Sequence, residues 1–187
     1  MTDQITLRVQ RRNPLTDSES HIETYHIPKS ITAGMTIVNA LKYIQETIDP
    51  SLAFYYSCEL AKCRGCVIEV NGEAIFACTE PVQDGQTLAP LSGLPVLRDL
   101  AVKFLLAEIL LDEEKCIGCK ACLSACPMDI YEMSASGDKV VVRTGPIKAM
   151  AAGHAIDCIG CLRCQTACTV EAIRIRPLGT GETPVGL

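Results

Sequence analysis

The sequence predicts an α+β protein of two small domains, and three observations support this. The first half contains short alternating apolar and polar segments and one helical segment, and the second half contains an internal repeat. The 187 residues include 12 cysteines but only three phenylalanines, five tyrosines and no tryptophan. Because so few large rings are available for a core, we expect the thiols to help hold the chain together.

The pattern of the first half predicts strands around one helix. Apolar residues fall at helical spacing from Thr36 to Ile48, and Asn71-Gly72 is a strong hairpin signal between two strands. The strands are expected at Ile5–Val9, His21–Ile27, Val67–Val70 and Glu73–Cys78. This order is typical of a β-grasp ferredoxin domain, which we expect over residues 1–96.

All 12 cysteines fall into three groups of four. The first group has the spacing C-x4-C-x2-C-x11-C and consists of Cys58, Cys63, Cys66 and Cys78. The other two share the spacing C-x2-C-x2-C-x3-C and consist of Cys116, Cys119, Cys122 and Cys126, and of Cys158, Cys161, Cys164 and Cys168. The first spacing matches the plant-type [2Fe–2S] run, and the second matches the bacterial [4Fe–4S] run. We therefore expect these cysteines to bind one [2Fe–2S] cluster and two [4Fe–4S] clusters.

The second and third groups lie in two copies of one segment, at an offset of 42 residues. Glu114–Cys126 aligns with Ile156–Cys168, and the copies continue into the apolar segments Asp129–Met133 and Glu171–Ile175. In two-cluster ferredoxins the fourth cysteine of each run binds the other cluster. We expect one cluster at Cys116, Cys119, Cys122 and Cys168, and the other at Cys158, Cys161, Cys164 and Cys126. The alternative, in which each run keeps its own fourth cysteine, stays open.

The remaining segments predict a connector, a helix, a strand and a tail. Gln83–Pro95 is rich in Gly and Pro, which is typical of a connector. Leu97–Leu111 is apolar with charged residues spaced around it, so we expect a helix there. Lys139–Arg143 is expected as a strand, and Pro177–Leu187 as a tail. With its leading helix, residues 97–187 are expected to form a bacterial-type 2[4Fe–4S] ferredoxin-like domain.

Two other uses of cysteine agree less well with the spacing. Pairs of the type C-x2-C also bind structural zinc, but zinc sites usually join two well-separated pairs rather than three thiols of one loop. Disulfides are rare in the cytoplasm, where we expect this protein. We expect no secretory signal, because no apolar core follows the charged N-terminal residues. The apolar stretch Phe104–Leu111 is too short to span a bilayer.

Composition and motifs argue against several functions. The net charge is −5 with both signs interspersed, so we expect no nucleic-acid partner. We found no Gly-rich phosphate loop, and we expect no nucleotide on this chain. Of the three histidines, His21 and His26 are expected as ordinary strand residues, whereas His154 is a candidate for tuning a nearby cluster. We expect no catalytic residue and no substrate chemistry here.

Four stretches of the first 110 residues resemble the iron–sulfur subunit of succinate dehydrogenase and fumarate reductase. They are Arg12-Asn13-Pro14, Thr36–Ile44, Ile48–Cys58 together with the [2Fe–2S] cysteines, and Pro95–Val102. The second half resembles a bacterial ferredoxin instead. Its last cysteine run is a full [4Fe–4S] run, whereas that family has a wider first gap and a three-iron cluster.

This resemblance implies an electron-transfer subunit of an oxidoreductase complex. The implied partners are an FAD-containing flavoprotein subunit, which the [2Fe–2S] cluster would face, and a further redox subunit or carrier. Any membrane association would come through a partner subunit. The alternative function is a free-standing soluble electron carrier of the polyferredoxin type.

Overall fold

The computed structural model describes residues 3–61, 63, 65–104, 107–143 and 158–177, and these form two compact units. The first unit runs to Leu91 and includes Pro95–Lys103, and the second consists of Ser92–Leu94 and the residues from Phe104 onward. The boundary expected between residues 96 and 97 stays a prediction for domains that fold independently. His154 and the tail beyond residue 177 lie outside the described residues.

A five-stranded mixed sheet organises the first unit. Its strands are β1 (Gln4–Arg11), β2 (His21–Pro28), β3 (Val67–Val70), β4 (Glu73–Phe76) and β5 (Thr87–Ala89), in the spatial order β2-β1-β5-β3-β4. β1 and β5 are parallel, and the other neighbours are antiparallel. The predicted β-grasp strands are confirmed, and His21 and His26 are exposed on β2. However, β4 ends at Phe76, so Cys78 lies in a turn rather than on the strand.

One helix packs its apolar side chains with those of the sheet. Helix α1 (Ile37–Tyr43) begins at Thr36, whose side-chain oxygen accepts a hydrogen bond from the Asn39 N–H. A π-helical turn over Ile44–Ile48 follows, so the helical segment predicted to end at Ile48 is confirmed. The shared core consists chiefly of Leu7, Val9, Ile27, Ile37, Val38, Leu41, Ile44 and Leu88. Within the described part of the chain, no helix is long and apolar enough to cross a membrane.

The predicted connector Gln83–Pro95 hides a central strand of the sheet. β5 lies between β1 and β3, and its Leu88 is fully buried. A strand of three residues is too short to show an alternation of apolar and polar side chains. Its place in the sheet depends on partners far away in the sequence.

The helix predicted over Leu97–Leu111 is wrong. The described residues of this segment contribute to strands β6 (Val96–Arg98), β7 (Ala101–Val102) and β8 (Ala107–Leu111). Asp99 has a φ of +49°, which breaks any helix between β6 and β7. Its N–H donates to the carbonyl oxygen of Arg12 at 2.7 Å. Hydrogen bonds to distant backbone therefore replace the helical ones.

The second unit repeats one helix–strand pattern. Helix α2 (Ala121–Ala125) precedes β9 (Tyr131–Met133), and helix α3 (Arg163–Ala167) precedes β11 (Ile173–Pro177). β9 pairs with β10 (Val140–Val142), and β11 pairs with β8, both antiparallel. Lys120 and Leu162, equivalent in the repeat, have φ values of 65° and 61°. The internal repeat and the strand predicted over Lys139–Arg143 are both confirmed.

A buried arginine joins three parts of the first unit. Arg11 on β1 is 7% exposed and forms ion pairs with Glu23 at 2.6 Å, with Asp99 at 2.9 Å and with Asp49. Asp99 itself is 3% exposed, and its carboxylate also accepts the N–H of Ala53 at 2.9 Å. Arg11 therefore ties the sheet to the segments that carry Asp49 and Asp99.

The environment of Asp49 keeps this carboxyl group ionised. Its burial favours the neutral form, but hydrogen bonds from Ser51, Tyr25 and Arg11 outweigh burial and hold the pKa of Asp49 below its usual range. A depressed carboxyl pKa stabilises the fold above pH 4 or so, and this contribution is lost as the pH falls further.

We expect Arg11→Met to destabilise the first unit by about 3–5 kcal/mol, because it leaves two carboxylates without their cation. Urea denaturation of the whole cluster-loaded chain, followed by circular dichroism, measures the loss. The control is Arg8→Met on the same strand, where the exposed guanidinium donates to the carbonyl oxygen of Gly85. We expect that control to lose less than about 1 kcal/mol. Equal losses in the two variants would contradict a structural role for the buried network.

Candidate iron–sulfur sites

The first cysteine group lies at one end of the β3–β4 hairpin. Cys66 precedes β3 and Cys78 follows β4, so strand pairing brings these two cysteines together. The Ala77 N–H donates to the Cys66 carbonyl oxygen at 3.2 Å and fixes that arrangement. Cys66 and Cys78 are buried, whereas Cys63 is exposed on the loop before them. The site thus has a buried side and a side open to solvent.

Backbone N–H groups of this loop point at cysteine sulfurs. The Cys63 N–H donates to Cys58 Sγ at 3.2 Å, and the Ala61 N–H donates to Cys78 Sγ at 3.3 Å. Glu59 and Ala61 have φ values of 53° and 55°, a conformation that costs about 1–2 kcal/mol for each L-residue. In return the loop presents several donors to one place, as in anion-binding backbone nests. This suits a group with negative charge on sulfur.

Two cavities in the second unit are each bordered by four cysteines. The first cavity leaves about 310 Å³ of space between its bordering atoms, part of it open to solvent, and is bordered by Cys116, Cys119, Cys122 and Cys168. The second cavity leaves about 290 Å³ and is bordered by Cys126, Cys158, Cys161 and Cys164. Each cavity therefore takes three cysteines from one run and the fourth from the other run.

The space within these cavities fits a group larger than one ion. One water molecule accounts for about 30 Å³ of the liquid, and a single metal ion needs no more. Within the described residues, no set of three His, Cys, Asp or Glu side chains is arranged to hold a lone metal ion. No disulfide joins any of the cysteines. The donor set is thus four thiols around a space of polynuclear size.

Apolar side chains complete the walls of both cavities. Equivalent positions of the repeat face the two spaces, with Val170 and Met128 as one pair and Ala172 and Ile130 as another. Because such walls offer few dipoles and little water, each remaining donor acts strongly on the charge inside.

Backbone donors and one cation lie beside the first cavity. The Ala172 N–H donates to Cys168 Sγ at 3.2 Å, and the Val140 N–H donates to Cys116 Sγ at 3.5 Å. Lys139 Nζ donates to the Cys116 carbonyl oxygen at 2.9 Å, which holds a positive charge next to the loop. The sequence analysis missed Lys139, because nothing in a short strand pattern marks a contact with a loop far back in the chain.

A tyrosine hydroxyl lies beside the second cavity. Tyr131 is 1% exposed, and its Oη donates to Cys164 Sγ at 3.2 Å. Burial, together with the nearby Cys164, raises the pKa of Tyr131 above its usual value, so the hydroxyl keeps its proton and acts as the donor. The sequence analysis did not single out Tyr131 either, since one tyrosine at the start of a strand is usually a packing residue.

The buried thiols are poor nucleophiles. Burial raises the pKa of Cys158 to about 11 and that of Cys164 to about 12. Burial, with the hydrogen bond to Cys78, likewise raises the pKa of Cys66 to about 12. Thiols of this kind react slowly, but iron displaces the proton when it binds sulfur. The donor sets therefore fit metal clusters better than thiol chemistry.

Comparison with known families decides the class of these sites. The family described as "2Fe-2S iron-sulfur cluster binding domain" matches residues 6–108, more than half of the chain. The chain belongs to this family. The family described as "4Fe-4S dicluster domain" matches residues 115–172. The predicted order of a [2Fe–2S] domain followed by a [4Fe–4S] domain is confirmed.

Curated relatives of this family member agree with the predicted resemblance. A fumarate reductase (CoM/CoB) subunit of Methanothermobacter marburgensis is 30% identical over 150 residues, which cover 66% of this chain and 30% of the relative. The fumarate reductase iron-sulfur subunit of Haemophilus influenzae is 34% identical over 101 residues, which cover 52% and 39%. The chain thus spans about a third of the length of these relatives.

A solved structure shares the fold. A chain of the Mycobacterium smegmatis Sdh1 complex in the apo form aligns with a TM-score of 0.50 and 20% identity. The alignment covers 92% of this chain and 90% of the other.

Gly118 is required by both the conformation and the space of the first [4Fe–4S] loop. Its φ is +67°, and a Cβ would lie 2.3 Å from the Asp138 carbonyl oxygen. We expect Gly118→Ala to lower the iron and acid-labile sulfide content of the anaerobically purified chain, because the loop cannot keep its path. Colorimetric assays per mole of chain measure the loss.

The control for this variant is Gly137→Ala. Gly137 has a similar φ of +76°, but its Cβ would meet nothing within 4 Å. We expect this control to keep the iron content of the unaltered chain. If both variants lose the same amount of iron, backbone strain explains the effect and the close approach to Asp138 does not.

Proposed function

We propose that this chain is an iron–sulfur electron-transfer subunit of a flavin-dependent oxidoreductase complex of the succinate dehydrogenase and fumarate reductase type. The observation that carries the proposal is the pair of cavities, each uniting cysteines of both runs, beside a [2Fe–2S]-binding domain. Relatives that carry the name of fumarate reductase subunits support the type of complex. The chain has no catalytic role of its own in this proposal.

The proposed ligands are four cysteines for each of three clusters. Cys58, Cys63, Cys66 and Cys78 bind the [2Fe–2S] cluster. In the first cavity the ligands are Cys116, Cys119, Cys122 and Cys168, and in the second they are Cys158, Cys161, Cys164 and Cys126. The lining of the two cavities supports this crossed arrangement over the alternative in which each run keeps its own fourth cysteine.

The residues around these cysteines have three tasks. When bound, such clusters accept and release single electrons, which lets a two-electron flavin exchange with one-electron partners. The N–H donors at Cys58, Cys78 and Cys168 stabilise negative charge on sulfur. The apolar walls of the cavities exclude water, and the tight loops fix the positions of the thiols.

The exposed side of the first site supplies a docking point for the flavoprotein subunit. Cys63 is exposed, and the side chains of Tyr55, Tyr56 and Leu60 are 45%, 42% and 64% exposed on the same loop region. Amphipathic and apolar residues of this kind are frequent at protein interfaces. A further redox subunit or carrier would exchange electrons with the second unit. We place the chain in the cytoplasm, with any attachment to a membrane made through a partner.

The proposed function predicts both the metal content and the company of the chain. Tagged at its natural level and purified without oxygen, it should contain about ten irons, of which two belong to the [2Fe–2S] cluster and four to each [4Fe–4S] cluster. It should also elute at a fixed ratio with a protein that contains FAD. Iron and flavin analysis across the gel-filtration peak checks both. A chain with ten irons that elutes alone is a free carrier, and a chain that contains zinc instead refutes the cluster assignment.

The crossed arrangement predicts opposite results in two cysteine-deficient backgrounds. In a chain with Cys116, Cys119 and Cys122 all changed to Ser, the remaining [4Fe–4S] cluster should be lost on adding Cys126→Ser and kept on adding Cys168→Ser. With Cys158, Cys161 and Cys164 changed instead, the effects of Cys126→Ser and Cys168→Ser should exchange. Mössbauer spectroscopy of the anaerobic protein counts the clusters. The reverse outcome would establish that each run keeps its own fourth cysteine.

A further inference from the structure

The second cavity receives two functional groups from the first copy of the repeat. One is Cys126, its fourth cysteine, and the other is the hydroxyl of Tyr131 at the start of β9. Tyr131 lines the cavity, and its Oη donates to Cys164 Sγ at 3.2 Å. This residue is among the largest fully buried side chains of the chain, so the hydrogen bond is shielded from water.

The repeat supplies its own comparison for this tyrosine. Ile173, 42 residues later, occupies the equivalent position at the start of β11 and lines the first cavity. Ile173 is also buried, at 2% exposure, and it has no group that can donate a hydrogen bond. Cys122 in the first cavity is the equivalent of Cys164. At this position, then, one cavity wall carries a hydroxyl and the other only carbon.

We infer that Tyr131 tunes the second-cavity cluster, raising its reduction potential through the hydrogen bond to Cys164 Sγ. The inference rests on the proposed ligand set. Reduction adds one electron, and part of its charge spreads onto the ligand sulfurs. A fixed donor therefore stabilises the reduced form more than the oxidised form, and hydrogen bonds to the sulfurs are a known means of setting cluster potentials. The proton stays on Tyr131 throughout, so no proton transfer is coupled to the electron.

The apolar walls strengthen this effect. Around Cys164 the cavity is bordered by Met128, Ile130, Ile159 and Ile175, which offer no competing side-chain donor. A hydrogen bond to a charged acceptor in such surroundings contributes about 1.5–3 kcal/mol. Only the part that differs between the two oxidation states appears in the potential.

The test is Tyr131→Phe in the whole cluster-loaded chain, which removes one oxygen and keeps the ring. We expect the one-electron reduction equilibrium of one [4Fe–4S] cluster to weaken about tenfold, which corresponds to a fall of about 59 mV in its midpoint. The other [4Fe–4S] midpoint and the [2Fe–2S] midpoint should stay within about twofold of the unaltered chain. A redox titration monitored by electron paramagnetic resonance measures all three.

Two companion measurements identify the cause of the shift. Ile173→Leu changes the packing at the equivalent position without adding or removing a donor, and we expect all midpoints to stay unchanged. Incorporating 3-fluorotyrosine, whose hydroxyl is more acidic and donates more strongly, should move the same midpoint upward instead. This second measurement also keeps the test decisive if Tyr131→Phe loses its clusters.

The outcomes separate this inference from the proposed function. If the unaltered chain shows two [4Fe–4S] signals and neither midpoint responds to Tyr131→Phe or to 3-fluorotyrosine, Tyr131 is a packing residue and the proposed function still stands. If both midpoints move together, the effect is a general change of the fold, and the inference is wrong. If the unaltered chain shows no [4Fe–4S] signal, the ligand assignment itself fails.

Discussion

The second unit depends on one constraint, which is that four sulfurs must meet around each cavity. A C-x2-C-x2-C loop can turn three thiols toward one point, and the positive φ values of Gly118 and Lys120 show how tightly the first loop turns. The fourth thiol cannot come from the same turn. Cys168 reaches the first cavity and Cys126 reaches the second. Each half of the repeat is therefore incomplete without the other, and the apolar walls follow from burying the space between them.

The first unit brings four cysteines toward one site by a different route. A hairpin places Cys66 beside Cys78, and a loop with two non-glycine residues at positive φ aims N–H groups at sulfur. The strain in that loop is acceptable because the sheet and α1 already form a complete apolar core. The buried Arg11 network holds the segments of Asp49 and Asp99 to this core. In both units, rigid secondary structure carries irregular loops that approach sulfur closely.

Most elements of the first unit could be predicted, because β1, β2, α1 and the β3–β4 hairpin each have a clear local period or turn signal. The failures have one physical cause. Leu97–Leu111 has a mixed apolar and charged pattern that fits a helix locally, yet Asp99 bonds to the Arg12 backbone and Arg11 instead. β5 is a strand only because β1 and β3 flank it. The roles of Lys139 and Tyr131 likewise depend on residues more than 20 positions away.

The sequence by itself determined the three cysteine groups, the repeat at an offset of 42 residues and the resemblance to the iron–sulfur subunits, because spacing and similarity are properties of neighbours along the chain. Tertiary structure decided which four cysteines border one cavity and which donors touch their sulfurs. It also decided that two nearly identical loops have different surroundings, with a tyrosine hydroxyl at one and a lysine at the other. These features arise from packing between segments far apart in sequence, where no local pattern records the contact.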